Sequence, residues 1–369
     1  LTNTLVTRPA TEKEIHTLGL DHLLDKPGFR ASMLRVCEYR NRIISRVLIE
    51  QFVLRYGSVD FKAAGISNML TEFRFRGSGY GEQVMQDALA YIREQGAHLA
   101  LLNDTTGNYF SRFGFGPVWP QYRVTFDTAQ TVDLPQTVHV RQAQYPDIPA
   151  MARLYDQYWG ARVTVVRYPD LWRWRAHHTG WHVLVALNAQ DDVIGYFAAE
   201  DYHAQAAEVV VSNAQAAQAL LHAIGEKHQQ RGHAQFTWQL PPDDVLLAYM
   251  RESIDLRLEA TYQAQGGWMG RLIDVRGLLD MLLPELQAQA ETFMPDVNGL
   301  MLRHDADTIQ ITLGDHMMCV GYRDFVQVMF ASLSPEALGL RENLQPDDIT
   351  LLKTLFPPRV AAIAPWDIF

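Results

Sequence analysis

The run Arg76-Gly77-Ser78-Gly79-Tyr80-Gly81 constrains this chain more than any other stretch. It follows a β-like segment from Gly65 to Thr71. After it, Val84, Ala88 and Ile92, with Met85 and Leu89 beside them, recur at the three- and four-residue spacing of a helix face. Three glycines in a strand-to-helix turn let backbone N–H groups approach an anion with no Cβ in the way, and the helix N-terminus adds the positive end of its dipole. Gly96 stands where a C′ glycine stops a helix, which gives this one about four turns. The pattern predicts a phosphate-bearing ligand at residues 76–81.

Three designs compete for such a turn. A kinase-type loop needs Lys-Ser/Thr after its last glycine, where Glu82-Gln83 stand. A dinucleotide fold needs a glycine at the sixth position and an acidic residue ending the next strand; Gly77 and Gly79 are followed by Glu82, and His98 to Leu102 ends in Asn103. The remaining design is arginine, two residues, glycine, one residue, glycine, which Arg76 through Gly81 satisfies and Arg74 through Gly79 satisfies again. That signature, with Ser111-Arg-Phe-Gly-Phe-Gly-Pro117 downstream, resembles the acyl-CoA site of the GNAT N-acetyltransferases.

The resemblance extends along the chain. Leu54-Arg-Tyr-Gly57, Ala64-Gly-Ile-Ser67, the glycine turn, Ser111 to Pro117 and the end Pro365-Trp-Asp-Ile-Phe369 resemble the enhanced-intracellular-survival (Eis) acetyltransferases. That family implies an α/β (α+β) architecture: a GNAT domain with an acetyl-CoA site at 1–134, a second GNAT-like domain lacking the cofactor loop at 135–270, and a sterol-carrier-like domain at 271–369. Internal signals agree. Val140-Arg-Gln-Ala-Gln-Tyr-Pro-Asp147 repeats Thr7-Arg-Pro-Ala-Thr-Glu-Lys-Glu14 in type. Where the second copy's glycine loop belongs stands Asn213-Ala-Gln-Ala-Ala-Gln-Ala-Leu220, whose alanine Cβ atoms block close approach to a pyrophosphate. The polar stretch 127–137, with Pro135, reads as a linker.

Composition fits a multidomain protein. A chain of 369 residues, 48% hydrophobic, exceeds one ordinary core and predicts two or three domains. No apolar run reaches the roughly 18 residues of a membrane span, and the first residues lack a signal-peptide core, so a cytoplasmic protein without membrane partners is expected. Cys37 and Cys319 are too far apart for a metal pair and are expected to be reduced and buried. A formal charge of -10 argues against nucleic acid as partner and suits a cationic substrate. His177, His178 and His182 lie among tryptophans with no cysteine or carboxylate to complete a metal set, so no metal is expected.

The resemblance also implies a chemistry: direct attack of an amine on acetyl-CoA, with the backbone of Met69, Leu70 and Thr71 along the cofactor, Arg76 to Gly81 on its pyrophosphate, and Thr105 and Phe110 as further cofactor contacts. The family's base is its C-terminal carboxylate, here Phe369. Its acid is a tyrosine four residues before the glycine of Phe-Gly, a position held here by Phe110, so Tyr109 reoriented, a water, or unassisted thiolate departure must serve instead. The family's acid beside the terminal aromatic is replaced by Ile368, with Asp367 one place away, which leaves the acceptor open among aminoglycosides, polyamines and lysine. Relatives also imply self-association into a homo-oligomer. The alternative is a non-catalytic acyl-CoA-binding or apolar-ligand module that has lost its acid.

Overall fold

The structure is a computed structural model and describes residues 5–160, 162–178, 182–199, 207–263, 266–293, 299–357, 359 and 367. Its architecture is mixed α/β. Described residues up to 120, together with those from 263 to 359, form one compact unit; those from 121 to 262, with Asp367, form another.

The first unit opens with β1 (Leu5–Pro9) and α1 (Glu12–Thr17), then β2 (Leu34–Tyr39), β3 (Arg42–Tyr56) and β4 (Val59–Thr71). Helix α2 (Tyr80–Glu94) crosses over to β5 (Leu99–Asp104), and β6 (Gly116–Trp119) follows. The apolar stripe read from the sequence is the buried face of α2: Val84, Met85, Ala88, Leu89 and Ile92 pack with Val47 and Ile49 of β3, Ala64 and Ile66 of β4, and Ala100 and Leu102 of β5. Gly96 takes a φ of +71° just beyond the helix, as a C′ glycine should.

The second unit holds β7 (Gln121–Asp127), α3 (Thr128–Val132), β8 (His139–Gln142), α4 (Ile148–Trp159), β9 (Thr164–Val166), α5 (Pro169–His178), β10 (His182–Leu187), β11 (Val193–Ala199), β12 (Ala207–Val211), α6 (Ala214–Gln230), β13 (Gln235–Trp238), α7 (Val245–Ser253) and β14 (Leu256–Thr261). Two antiparallel sheets result, β12-β11-β10-β8 and β13-β7-β14. The stretch expected as a linker is not one. It carries α3, whose Thr128 and Thr131 are buried, and Leu134 joins the core, because a short helix can bury threonine methyls that sequence polarity hides. Trp172 and Arg175 are buried within this unit. The side chains of His177 and His178 lie outside the described residues.

The chain then returns to the first unit through β15 (Gly267–Leu272), which pairs antiparallel with β5 and β6 and gives the sheet order β1-β2-β3-β4-β5-β15-β6. Helix α8 (Val275–Phe293), the meander β16 (Met301–His304), β17 (Thr308–Leu313), β18 (His316–Gly321), and helices α9 (Tyr322–Met329), α10 (Pro335–Glu342) and α11 (Pro346–Leu355) complete it. Cys37 is buried as expected, whereas Cys319 is exposed, on the face of β18 opposite the buried Met318 and Val320; both are free thiols. No described helix is long and apolar enough to cross a membrane, and no group of three metal-ligating side chains occurs among the described residues.

Candidate active site

Two neighbouring strands that run parallel and then part create the site. The β4–β5 ladder pairs Ala63 with Leu99, Ala64 with Ala100, Gly65 with Leu101 and Ile66 with Leu102, and stops there. The cause lies on the other edge of β4. Leu48 pairs with Ser67 but Arg46 pairs with Leu70, so Asn68 and Met69 together oppose Val47. This is a β-bulge, with Asn68 at φ +51°, and a bulge bends its strand. Beyond Ile66 the backbone of Ser67 to Thr71 is turned away from β5, leaving an edge where an extended amide-bearing ligand can pair.

The glycine turn follows directly. Gly77 and Gly79 have φ of +78° and +82°, and a Cβ on either would meet nothing within 4 Å. Glycine is required there by backbone conformation, not by crowding. Gly79 is the N-cap of α2 and no side chain caps the helix, so its first-turn N–H groups keep the hydrogen-bonding capacity an anion can take. Helix α6 of the second unit, by contrast, is capped: Asn213 accepts from the Ala216 N–H at 2.9 Å, and Ala216 and Ala217 are buried in the core. Arg76 donates through Nε to the Thr71 carbonyl at 3.2 Å, tying the turn to the end of β4.

The other expected residues divide. A Cβ at Gly81 would lie 3.0 Å from the Tyr109 hydroxyl, 3.1 Å from Thr71 Oγ1 and 3.4 Å from Met69 Cε, so these three groups converge on the first turn of α2. Thr71 Oγ1 is held by Ser45 Oγ at 2.8 Å. Burial pushes the Tyr109 phenol above its ordinary value of 10, and Glu82 pushes the same way against the opposing charge of Arg112, which lies over the ring. Leu70 is exposed, and so is Thr105, just past the end of β5. Phe110 is 8% exposed in the core shared with Phe113 and Phe115. Phe369 lies outside the described residues. Asp367 does not: it is buried in the second unit, where it accepts from Arg167 Nη2 at 2.7 Å, from Tyr155 at 3.1 Å, and pairs with Arg175 at 2.9 Å. Burial pushes that carboxyl up, but Arg167 and Arg175 hold it below the usual carboxylate range.

One residue escaped the sequence reading. Asp104, the last residue of β5, is 2% exposed. An aspartate ending a strand is ordinarily a solvated turn former, and only its side-chain environment in the fold distinguishes it.

Residues 21–118 match the acetyltransferase (GNAT) domain family, a segment that contains β2 to β5, the bulge, the glycine turn and α2 and ends within β6. No curated protein matches the chain. Among solved structures, the chain is similar in fold to a GCN5-related N-acetyltransferase from Kribbella flavida (TM-score 0.69, 15% identity, 100% of this chain and 99% of the other). It is also similar to a conserved protein of unknown function from Enterococcus faecalis described as a probable N-acyltransferase (0.68, 14%, 97% of each), and to Eis1 from Mycobacterium abscessus (0.61, 13%, 98% and 99%). The chain carries a GNAT acetyltransferase domain and is an acetyltransferase; domains of this kind use acetyl-CoA as co-substrate.

Proposed function

We propose that the chain transfers the acetyl group of acetyl-CoA to a primary amine by direct attack. The observation that carries this reading is the adjacency of an uncapped helix N-terminus behind Gly77 and Gly79 to a β4 edge parted from β5. The first is suited to a pyrophosphate and the second to an amide-bearing arm. In the reaction the neutral amine nitrogen bonds to the thioester carbonyl carbon, the C–S bond breaks, and the sulfur leaves as a thiolate that takes up a proton.

The chain's residues have separable tasks. The Met69 or Leu70 backbone N–H is assigned to the thioester oxygen, where a fixed donor favours the developing oxyanion. The Tyr109 phenol is assigned to the thiolate: it stays protonated at neutral pH and stands at the first turn of α2, beside Thr71 and Met69. The amine's proton is assigned to the Phe369 carboxylate, on the resemblance to the Eis family alone. Thr105 is retained as a flanking residue of the cofactor arm, whereas Phe110, expected there too, packs into the core instead.

A repeated ion pair supports a duplicated fold in residues 135–270. Arg8 donates to both carboxylate oxygens of Glu14, at 2.6 and 2.9 Å, and Arg141 donates to both of Asp147, at 2.6 and 2.9 Å. In each case the acid sits six residues on and also accepts from the backbone N–H three residues before it, Thr11 and Gln144. The C-terminal segment 271–369 is proposed as the sterol-carrier-like module of that resemblance.

The test is thiol release from acetyl-CoA with a panel of aminoglycosides, polyamines, lysine peptides and arylalkylamines. Release that depends on the amine, with a product heavier by one acetyl group, is expected; tight acetyl-CoA binding without release above blank would sink the reading.

A further inference from the structure

Asp104 has one carboxylate oxygen occupied and one idle. Its Oδ1 accepts from the Thr106 backbone N–H at 2.7 Å and from Thr106 Oγ1 at 2.6 Å. Its Oδ2 is enclosed and accepts no hydrogen bond among the described residues, and no basic side chain among them forms an ion pair with it. A carboxylate taken out of water with an unused oxygen is costly, and such atoms mark places where a ligand brings the missing donor.

Its position gives the ligand an identity. The β4–β5 ladder ends at Leu102, so Asp104 lies two residues past the last pair, on the strand that forms one wall of the opening. Strand alternation places it on the sheet face of Ala100 and Leu102, the face covered by α2. Across the ladder it pairs with Gly267, a residue with no side chain to cover it.

We propose that Asp104 is the anionic contact of the acceptor: Oδ2 accepts a hydrogen bond from the nitrogen of a cationic primary amine and selects it over uncharged hydroxyl or thiol nucleophiles of similar size. The inference rests on the amine-acetylation reading above. It adds an anionic residue on β5, beside the opening, to the motif residues of β4 and α2. Thr106, by fixing Oδ1, orients the carboxylate so that the idle oxygen is presented in one direction.

Asp104→Asn tests this in the full chain, because asparagine keeps the volume and the Oδ1 acceptor for Thr106 while turning the idle acceptor into a donor. At saturating acetyl-CoA the amine KM should rise about thirtyfold, with kcat within about threefold and the acetyl-CoA Kd by calorimetry unchanged. Asp104→Ala should raise KM at least as far. An amine KM that moves less than about twofold overturns the proposal, and so does a weakened acetyl-CoA Kd with the amine KM unmoved, which would reassign Oδ2 to an amide of the cofactor arm. Should the native protein release no thiol with any amine, the acetylation reading fails by itself, and calorimetry with spermidine on the CoA-loaded protein decides Asp104. Heat abolished by Asp104→Asn supports the ammonium contact; equal heat in both, or none in either, overturns it.

Discussion

Tyr109 and Phe110 are consecutive, and their rings meet edge to face with centroids 5.0 Å apart at 87°, yet they serve opposite sides of one boundary. Phe110 points into the core. The Tyr109 hydroxyl points out of it, to the first turn of α2 beside Thr71. The short 3₁₀ segment Phe110–Phe113 that begins here rotates successive side chains by about 120°, which separates the two rings' surroundings.

That relationship predicts opposite outcomes for two single exchanges. Tyr109→Phe should lower kcat by about a hundredfold or more, the range typical of a lost general acid, with the acetyl-CoA Kd intact. Phe110→Tyr should not raise the rate. It should instead destabilise the fold by about 1–3 kcal/mol, because the added hydroxyl enters an apolar core without a partner. Single-turnover kinetics and thermal unfolding of both variants check this, and a rate gain in Phe110→Tyr would move the acid to position 110. The native protein's kcat should also hold through neutral pH and fall only above pH 10, since the raised phenol releases its proton later than an ordinary tyrosine.

Gly79 and Gly81 should fail for different reasons. At Gly79 the +82° φ makes any L-residue strained by about 1–2 kcal/mol, but the space is open. Gly79→Asp adds a negative charge at the uncapped N-terminus of α2 and should abolish measurable acetyl-CoA binding. Gly81→Ala instead forces the Tyr109 hydroxyl and Thr71 Oγ1 to give by a few tenths of an ångström. Its effect should fall on kcat more than on Kd. Calorimetry with acetyl-CoA and steady-state rates separate the two, and a Gly81→Ala enzyme with native kcat would show that Tyr109 need not hold its place.

The glycine turn and the helix after it were legible because local chemistry dictates them. Positive φ at Gly77 and Gly79, the stripe of α2 and its stop at Gly96 all follow from residues near one another in the chain. The bulge at Asn68 and Met69 was not legible, since it exists only in the register between β3 and β4. Nor was β15, which reaches the edge of β5 from more than 160 residues away along the chain, a pairing that no local pattern encodes. The spacing Arg8 to Glu14 and Arg141 to Asp147 was visible in the repeat, and its meaning as an ion pair emerged only with the strand and helix start that bring the ends together. Asp367 stands one place from the position of the family's substrate-side acid, and the fold commits it to Arg167 and Arg175.

Removing Phe369 should lower kcat by about a hundredfold or more while leaving acetyl-CoA affinity unchanged, as loss of a general base does. An alanine added after Phe369 should act in the same direction by displacing the carboxylate. If both variants keep the native rate, the base lies elsewhere.

Asp244 gives a prediction about stability that is independent of the reaction. It is the N-cap of α7, accepting from the Leu246 N–H at 2.8 Å, and is 1% exposed. Burial pushes its carboxyl up to about 6 from an ordinary 3.8, although Tyr158, Arg162 and the α7 N–H groups favour the charged form. The folded state therefore binds the proton more readily than the unfolded chain between about pH 4 and 6. Stability from this group is present at the acid end and lost as pH rises through 6, by about 3 kcal/mol in all. Glu14 works the other way. Arg8 lowers it to about 2, so its contribution is present above 4.5 and disappears as pH falls. Comparing Asp244→Asn with the native chain cancels that background, and asparagine caps a helix as well as aspartate does. The variant should unfold at a higher temperature than the native protein above about pH 6, with the gap closing toward about pH 4. A gap that stays constant from pH 4 to 8 would mean that Asp244 is ionised in the folded protein throughout, its charge compensated by Arg162.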